Sequence, residues 1–316
     1  PMDKLASALL APDFLSTALR LATPLIFAAM GGLFCERSGV LNLGLEGMMT
    51  VGAFFGFIAN VLTKSLWLGI ATAIAAGTLL ALCHALLSVS LRADQIVTAL
   101  GLNLLAAGVS GYVFRLIYAV GGTSPTLPPV QPLGIPGLDR IPVLGGVLFD
   151  QVGLVYVAFL LLPLSTWLLF KTSWGLSVRA IGDNPRAADT LGVSVKRVRY
   201  VSVLISGALA GLGGGFLTLF AVSYYQDGMI AGRGFIAFGA IVFGRWHPLG
   251  TFLACLLFGA ADAAQVRMQA SGLTIPYQFM VMLPYVVALA ALLGLVGMGR
   301  SSAPAASGVA YVAEER

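Results

Sequence analysis

Long apolar runs, each bounded by a short polar or charged stretch, repeat along almost the whole chain. A membrane-crossing helix takes about 20 mostly apolar residues. Such runs lie near 15–34, 39–62, 66–91, 96–118, 152–170, 200–222, 249–267 and 276–298, with a shorter one at 232–246. The pattern predicts an all-α, polytopic membrane protein with about 8–10 transmembrane helices. The run at 232–246 is short for a full crossing, and 39–62 opens on polar residues and glycines. Both read as broken or re-entrant segments. They fall in opposite halves of the chain, which points to two pseudo-repeated halves. The first run reads as a retained span rather than a cleaved signal.

Basic residues orient the spans, because Lys and Arg concentrate in cytoplasmic loops. Residues 171–199 hold Lys171, Arg179, Arg186, Lys196, Arg197 and Arg199, so this loop is assigned to the cytoplasm. Residues 119–151 hold one basic residue, Arg140, and six prolines from Pro125 to Pro142. They are assigned to the opposite face as an ordered, extended loop. Arg300, just after the last run, puts the C-terminal end in the cytoplasm, and nine crossings then put the N-terminal end outside. Residues 1–300 thus form one transmembrane domain. Residues 301–316, SSAPAASGVAYVAEER, have no core-forming pattern and read as a mobile tail.

Composition agrees. The 316 residues are 58% hydrophobic and 10% charged, against about 25% charged in soluble domains. The net charge of +5 follows from basic cytoplasmic loops rather than from a nucleic-acid patch. Cys35, Cys83 and Cys255 have no metal-ligand spacing, and His84 and His247 are isolated. The chain has no G-x-x-x-x-G-K-[ST] phosphate loop, no H-E-x-x-H and no serine-nucleophile motif. It is therefore read as a non-enzyme without a cofactor of its own, driven by a gradient or by a separate ATPase.

Candidate chemistry lies at polar positions inside the spans. CERSGVLNLGLEGMMTVGAF (35–54) carries Asn42 and Glu46 among glycines. A carboxylate at membrane depth costs a few kcal/mol and needs a partner or water. Asn42 and Glu46 are four apart and would share one face of a helix. In RADQIVTALGLNLLAAG (92–108), Asp94 and Gln95 stand where a helix cap is needed. Asn103 lies deeper and needs an interhelical partner. DGMIAGRGFIAFGAIVFGRWHPLG (227–250) is interrupted by glycines, whereas SGALAGLGGGF (206–216) reads as close helix packing. Glu46, Asp227 and Asp262 would serve a proton relay in a gradient-driven carrier, but no Asp/Glu/His chain connects them.

Within 171–199, Asn184 precedes Pro185, an N-cap followed by proline at the first helical position. Gly192 can close the helix at its C-terminal end. A helix of roughly seven residues spans about 10 Å. At the cytoplasmic face it suits docking on a partner; an ordinary basic connector held by anionic lipid is the alternative.

ERSGVLNLGLEGMM (36–49), ADQIVTALGLNLLAAG (93–108), SWGLSVRAIGDNPRAADTLGVSV (173–195), SGALAGLGGGF (206–216) and GRGFIAFGAIVFGRWHPLG (232–250) carry a family resemblance. They resemble the membrane permeases of bacterial nucleoside ABC importers, in the superfamily that serves branched-chain amino acids and simple sugars. The resemblance spans roughly residues 15–298, and its first stretch resembles the second of two paired permeases. It implies a location in the bacterial cytoplasmic (inner) membrane and a heterodimer with a sister permease. It further implies a cytoplasmic ATP-binding subunit that holds ATP and magnesium, and an external substrate-binding lipoprotein. The imported solute would be a nucleoside; riboflavin importers in the same family leave that or another small polar solute as the alternative. The loop 171–199 would be the coupling segment, with Asn184, Pro185, Arg186 and Gly192 as the residues that form and dock its short helix. Asp183 stands where Glu is commoner in the family, and it keeps the charge. The translocation-pathway candidates under this reading are Asn42, Glu46, Asn103 and Phe235, with Glu46 as a structural or gating group hydrogen-bonded across the bundle.

Overall fold

A computed structural model of the chain describes residues 13–118, 124–134, 145–270, 276–295 and 303–312. The described residues are almost entirely helical. The helices are α1 (Asp13–Arg37), α2 (Leu45–Thr63), α3 (Leu66–Ala85), α4 (Gln95–Tyr118), α5 (Gly153–Lys171), α6 (Ser173–Asp183), α7 (Pro185–Thr190), α8 (Val195–Phe216), α9 (Arg233–Phe243), α10 (Pro248–Ala270), α11 (Tyr277–Val281) and α12 (Leu283–Leu295). Single π-turns extend α3 through Ser90 and α8 through Ala221. Among the described residues, seven helices (α1–α5, α8 and α10) are long and apolar enough to cross a membrane.

Helix α8 lies at the centre, against α1, α2 and α3. Its glycines make that approach possible. A Cβ at Gly207 would overlap Gly77 and Ala81 of α3, one at Gly211 would overlap Ala73, and one at Gly214 would overlap Met49 of α2. Backbones this close gain dispersion contacts where lipid provides no hydrophobic drive between helices. The stretch 206–216 thus acts in packing, as its composition suggests.

The two segments read as broken are broken. After α1 ends at Arg37, residues 38–44 run back into the bundle without helix, and α2 begins only at Leu45. Asn42 therefore precedes the helix, and the expectation that it shares a helix face with Glu46 is corrected. Gly39, at φ +83°, makes the turn. In the other half, residues 222–232 run inward from the end of α8 without helix, and the 11-residue α9 completes the crossing.

One end of the bundle gathers the basic loop. Arg37 donates from Nε to the Trp246 carbonyl at 2.6 Å, and the end of α6 packs so closely on α1 that a Cβ at Gly182 would overlap the Arg37 carbonyl. Residues 303–312 lie on this same face. Ala306 N–H donates to Gly182 O at 2.8 Å, and Gly308 N–H to Gly39 O at 3.1 Å. The expectation of a mobile tail is thus corrected for these ten residues, which are held by backbone hydrogen bonds that hydrophobic patterning does not report. At the opposite end, a two-residue antiparallel pairing joins Leu133–Gly134 to Asp150–Gln151. Gln151, fully buried, accepts from Arg20 Nε of α1 at 3.0 Å and donates to Ser16 Oγ. Ser124 and Leu127 bond to the 222–232 segment through Tyr225 and Ser223. The remaining parts of the proline-rich loop, including Arg140, lie outside the described residues.

Candidate functional site

The two broken crossings meet, and Glu46 is the joint. Gly232 N–H donates to Glu46 Oε1 at 2.8 Å and Gly234 N–H to Oε2 at 2.7 Å. These are orphan donors at the start of α9, which has no side-chain cap from its own N-cap residue, Gly232. Glu46 also stands in the first turn of its own helix, α2. One carboxylate therefore faces two helix N-termini, each equivalent to roughly half a positive charge. Both glycines are required. Gly232 sits at φ +84°, and a Cβ at Gly234 would overlap the backbone of Glu46.

Rise along the helices locates this joint in the bundle. Asn42, four residues before Glu46, reaches Ser206, and Ser206 is eleven residues, about 16 Å, along α8 from its start. Arg233 is ten residues, about 15 Å, from Phe243 at the far end of α9. Both distances put the joint inside the bundle, several helical turns from the end that gathers the basic loop. From there α9 runs toward the end of the bundle that gathers the basic loop, where Trp246 meets Arg37.

The neighbouring polar groups brace the joint. Asn42 is fully buried; its Nδ2 donates to Ser206 Oγ at 2.8 Å, its Oδ1 accepts from Gly44 N–H at 3.1 Å, and its own N–H donates to Glu36 Oε1 at 2.9 Å. Asn103 of α4 finds the interhelical partners it needs, accepting from Gly47 N–H at 2.8 Å and donating to Leu43 O at 3.0 Å. His84 Nε2 lies 3.0 Å from Leu41 O, and Gln95 accepts from Leu41 N–H at 2.7 Å. Asp94, as its position suggests, caps α4 by accepting from Ile96 and Val97 N–H, both at 2.9 Å. Of the four pathway candidates, Asn42 is thus enclosed by this chain, Glu46 and Asn103 are half-buried, and Phe235 is exposed on α9.

The three carboxylates do not form a relay. Asp262 of α10 pairs with Arg233 at 3.7 Å, Glu46 is held by backbone donors, and Asp227 is exposed. Sequence reasoning missed the roles of Arg233, Gly232 and Gly234. The signal was present in G-R-G at 232–234: glycines flanking a cation at the start of a short apolar run.

At the end of the bundle that gathers the basic loop, α6 and α7 form an elbow. Thr172 caps α6 by accepting from Gly175 N–H at 3.1 Å. Asn184 caps α7 by accepting from Ala187 N–H at 3.1 Å, with Pro185 at the first helical position. Gly192, at φ +83°, ends it: Gly192 N–H donates to Asp189 O at 2.9 Å and Val193 N–H to Ala188 O at 3.1 Å. This is the Schellman arrangement of a glycine-terminated helix. Only Ala188 of α7 is buried, and Leu191 beyond its end is 84% exposed. Beside the elbow, His247 stacks on Phe170 with ring centroids 5.3 Å apart, and partial burial together with nearby Arg37 holds its pKa below the ordinary value.

Comparison with known proteins places this architecture. The family described as branched-chain amino acid transport system / permease component matches residues 14–296. The chain is 41% identical to the guanosine ABC transporter permease protein NupQ of Bacillus subtilis (strain 168), over 93% of this chain and 95% of that one. It is 39% identical to the nucleoside ABC transporter permease protein NupC of Lactococcus lactis subsp. cremoris, over 92% and 94%. It is 38% identical to the putative glucose ABC transporter permease protein TsgC13 of Haloferax volcanii, over 84% and 80%. No solved structure matches. A multi-pass protein of the cytoplasmic membrane, the chain belongs to the family of branched-chain amino acid transport system permease components.

Proposed function

We propose that this chain is the permease subunit of an ATP-driven importer and that its solute is a nucleoside. The observation that carries the energy source is α7: a short helix, capped at both ends, that exposes Arg186, Ala187 and Thr190 beside the exposed Leu191. A carrier working alone has no use for such a projection. Asn184, Pro185 and Gly192 shape it, and Arg186 offers charge to an ATP-binding subunit, which would hold the ATP and magnesium. The relay that a proton-driven carrier needs is missing among the described residues.

The solute class rests on the two relatives that the chain matches over nine-tenths of its length, both named for guanosine or nucleoside. The joint is compatible with a neutral solute. Both Glu46 oxygens are engaged and Asp262 is paired, so no free carboxylate at the joint would select a cation. Opening of α9 from α2 would then form the path, with Phe235 on its exposed side and Asn42 and Asn103 bracing the fixed wall. A sister permease would complete the path, and the exposed apolar face of α4, with Leu100, Leu104 and Leu116, is available to it or to lipid. An external binding lipoprotein would deliver the solute at the proline-rich face.

The test is purification of the tagged chain in mild detergent from cells expressing its native partners, with mass spectrometry of what accompanies it. The expected companions are a second permease and an ATP-binding subunit. A monodisperse chain that takes up solute alone, without ATP, overturns the proposal.

A further inference from the structure

The end of the bundle that gathers the basic loop holds a polar site that solute transport does not use. Arg199, in the second turn of α8, is 1% exposed. Its Nε donates to Ser38 O at 3.2 Å and its Nη1 to Val309 O at 3.0 Å, while Nη2 is buried without a partner. Among the described residues no carboxylate forms a salt bridge with it. A guanidinium cannot escape burial by losing its proton, and removing a charge from water without a counter-ion costs several kcal/mol.

Arg199 lines a cavity of about 140 Å³, together with Val89, Ser90, Arg92, Val195, Lys196 and Tyr311. None of these is acidic. Arg92 and Lys196 are exposed cations at its rim. Val195 and Lys196, the first two residues of α8, line the same space. A buried guanidinium with no counter-charge and two further cations form a donor set that phosphate groups select.

We propose that this cavity binds a phosphate group. The source is either the headgroup of an anionic phospholipid in the cytoplasmic leaflet, where basic pockets between helices hold such groups, or a free phosphate. The bound anion would neutralise Arg199 and tie residues 303–312, through Val309 and Tyr311, to the start of α8.

The experiment follows thermal unfolding of the purified full chain after delipidation. One arm adds inorganic phosphate against chloride at matched ionic strength. The other adds phosphatidylglycerol against phosphatidylcholine. The expected result is a rise in Tm with at least one phosphate source, with apparent affinity about tenfold weaker or more in the R92A/K196A variant. That variant alters only rim residues and leaves the buried contacts of Arg199 in place; Arg199→Gln is the companion where it folds. Stabilisation by inorganic phosphate identifies a free anion as sufficient, and stabilisation by phosphatidylglycerol alone identifies the lipid. No rise with either, or an equal rise in R92A/K196A, overturns the proposal.

Discussion

Replacing Glu46 by glutamine keeps the shape of the side chain and removes its charge. The amide can accept from only one of Gly232 and Gly234, and its NH₂ is then turned toward the other N–H, donor against donor. One hydrogen bond to a charged group is lost, about 1.5–3 kcal/mol. The interaction of the carboxylate with the two helix N-termini is lost as well, about 0.3–1 kcal/mol or more. The expected cost of E46Q is therefore about 2–4 kcal/mol. Glu46→Ala leaves both donors without a partner and should cost about 3–6 kcal/mol. Both replacements also relieve the cost of burying a charge in the folded bundle, so these figures are upper values. Gly234→Ala reaches the same joint from the other side, since its Cβ would push against the Glu46 backbone. Because both changes open one contact, their costs should not add: E46Q/G234A should lose less than the sum of the two. The assay is equilibrium unfolding in mixed micelles of mild and denaturing detergent. Single variants within about 0.5 kcal/mol of the parent chain, the range of ordinary surface changes, or a fully additive double variant, would refute the joint.

Other outcomes follow from neighbouring features. Gly211→Val should abolish the folded state, seen as aggregation on size-exclusion chromatography, because its side chain would overlap Ala73 and Gly77; Gly108→Ala, which meets open space within this chain, should leave the chromatographic profile unchanged. Arg186→Glu and Gly192→Val should each lower solute-stimulated ATPase activity of the assembled transporter while the detergent melting profile of the permease is kept; Gly192→Val adds about 1–2 kcal/mol of local strain at a φ of +83°. His247 has a pKa lowered by partial burial and by Arg37. The unfolded chain then binds its proton more readily, so stability should fall as pH drops below about 6.5; His247→Phe, which keeps the stack on Phe170, should show a smaller loss between pH 7.5 and 5.5, and an equal loss would contradict this assignment.

Apolar run length locates the seven long crossings, because lipid admits little backbone other than helix; the run at 276–298, expected as one span, is described as the two short helices α11 and α12. Even the two broken segments are visible as a polar opening at 39–62 and a short run at 232–246. The caps are legible too: Asp94, Asn184 with Pro185, and Gly192 act through backbone groups two or three residues away. What escapes is contact across long separations. That Glu46 would cap a helix starting at Arg233 depends on 186 residues of intervening packing, which no local pattern encodes. Asn42 misleads for a related reason. Helical periodicity places it on one face with Glu46, but Glu36, Gly44 and Ser206 offer its polar groups partners in an extended segment. Residues 303–312 escape because they dock through N–H and C=O groups common to every sequence.

The most direct test of the function is uptake of radiolabelled guanosine and glucose by proteoliposomes holding the chain with its co-purified subunits. ATP-dependent accumulation of guanosine, lost in Arg186→Glu, is the predicted result. Uptake that proceeds without ATP, or accumulation of glucose with none of guanosine, would contradict it.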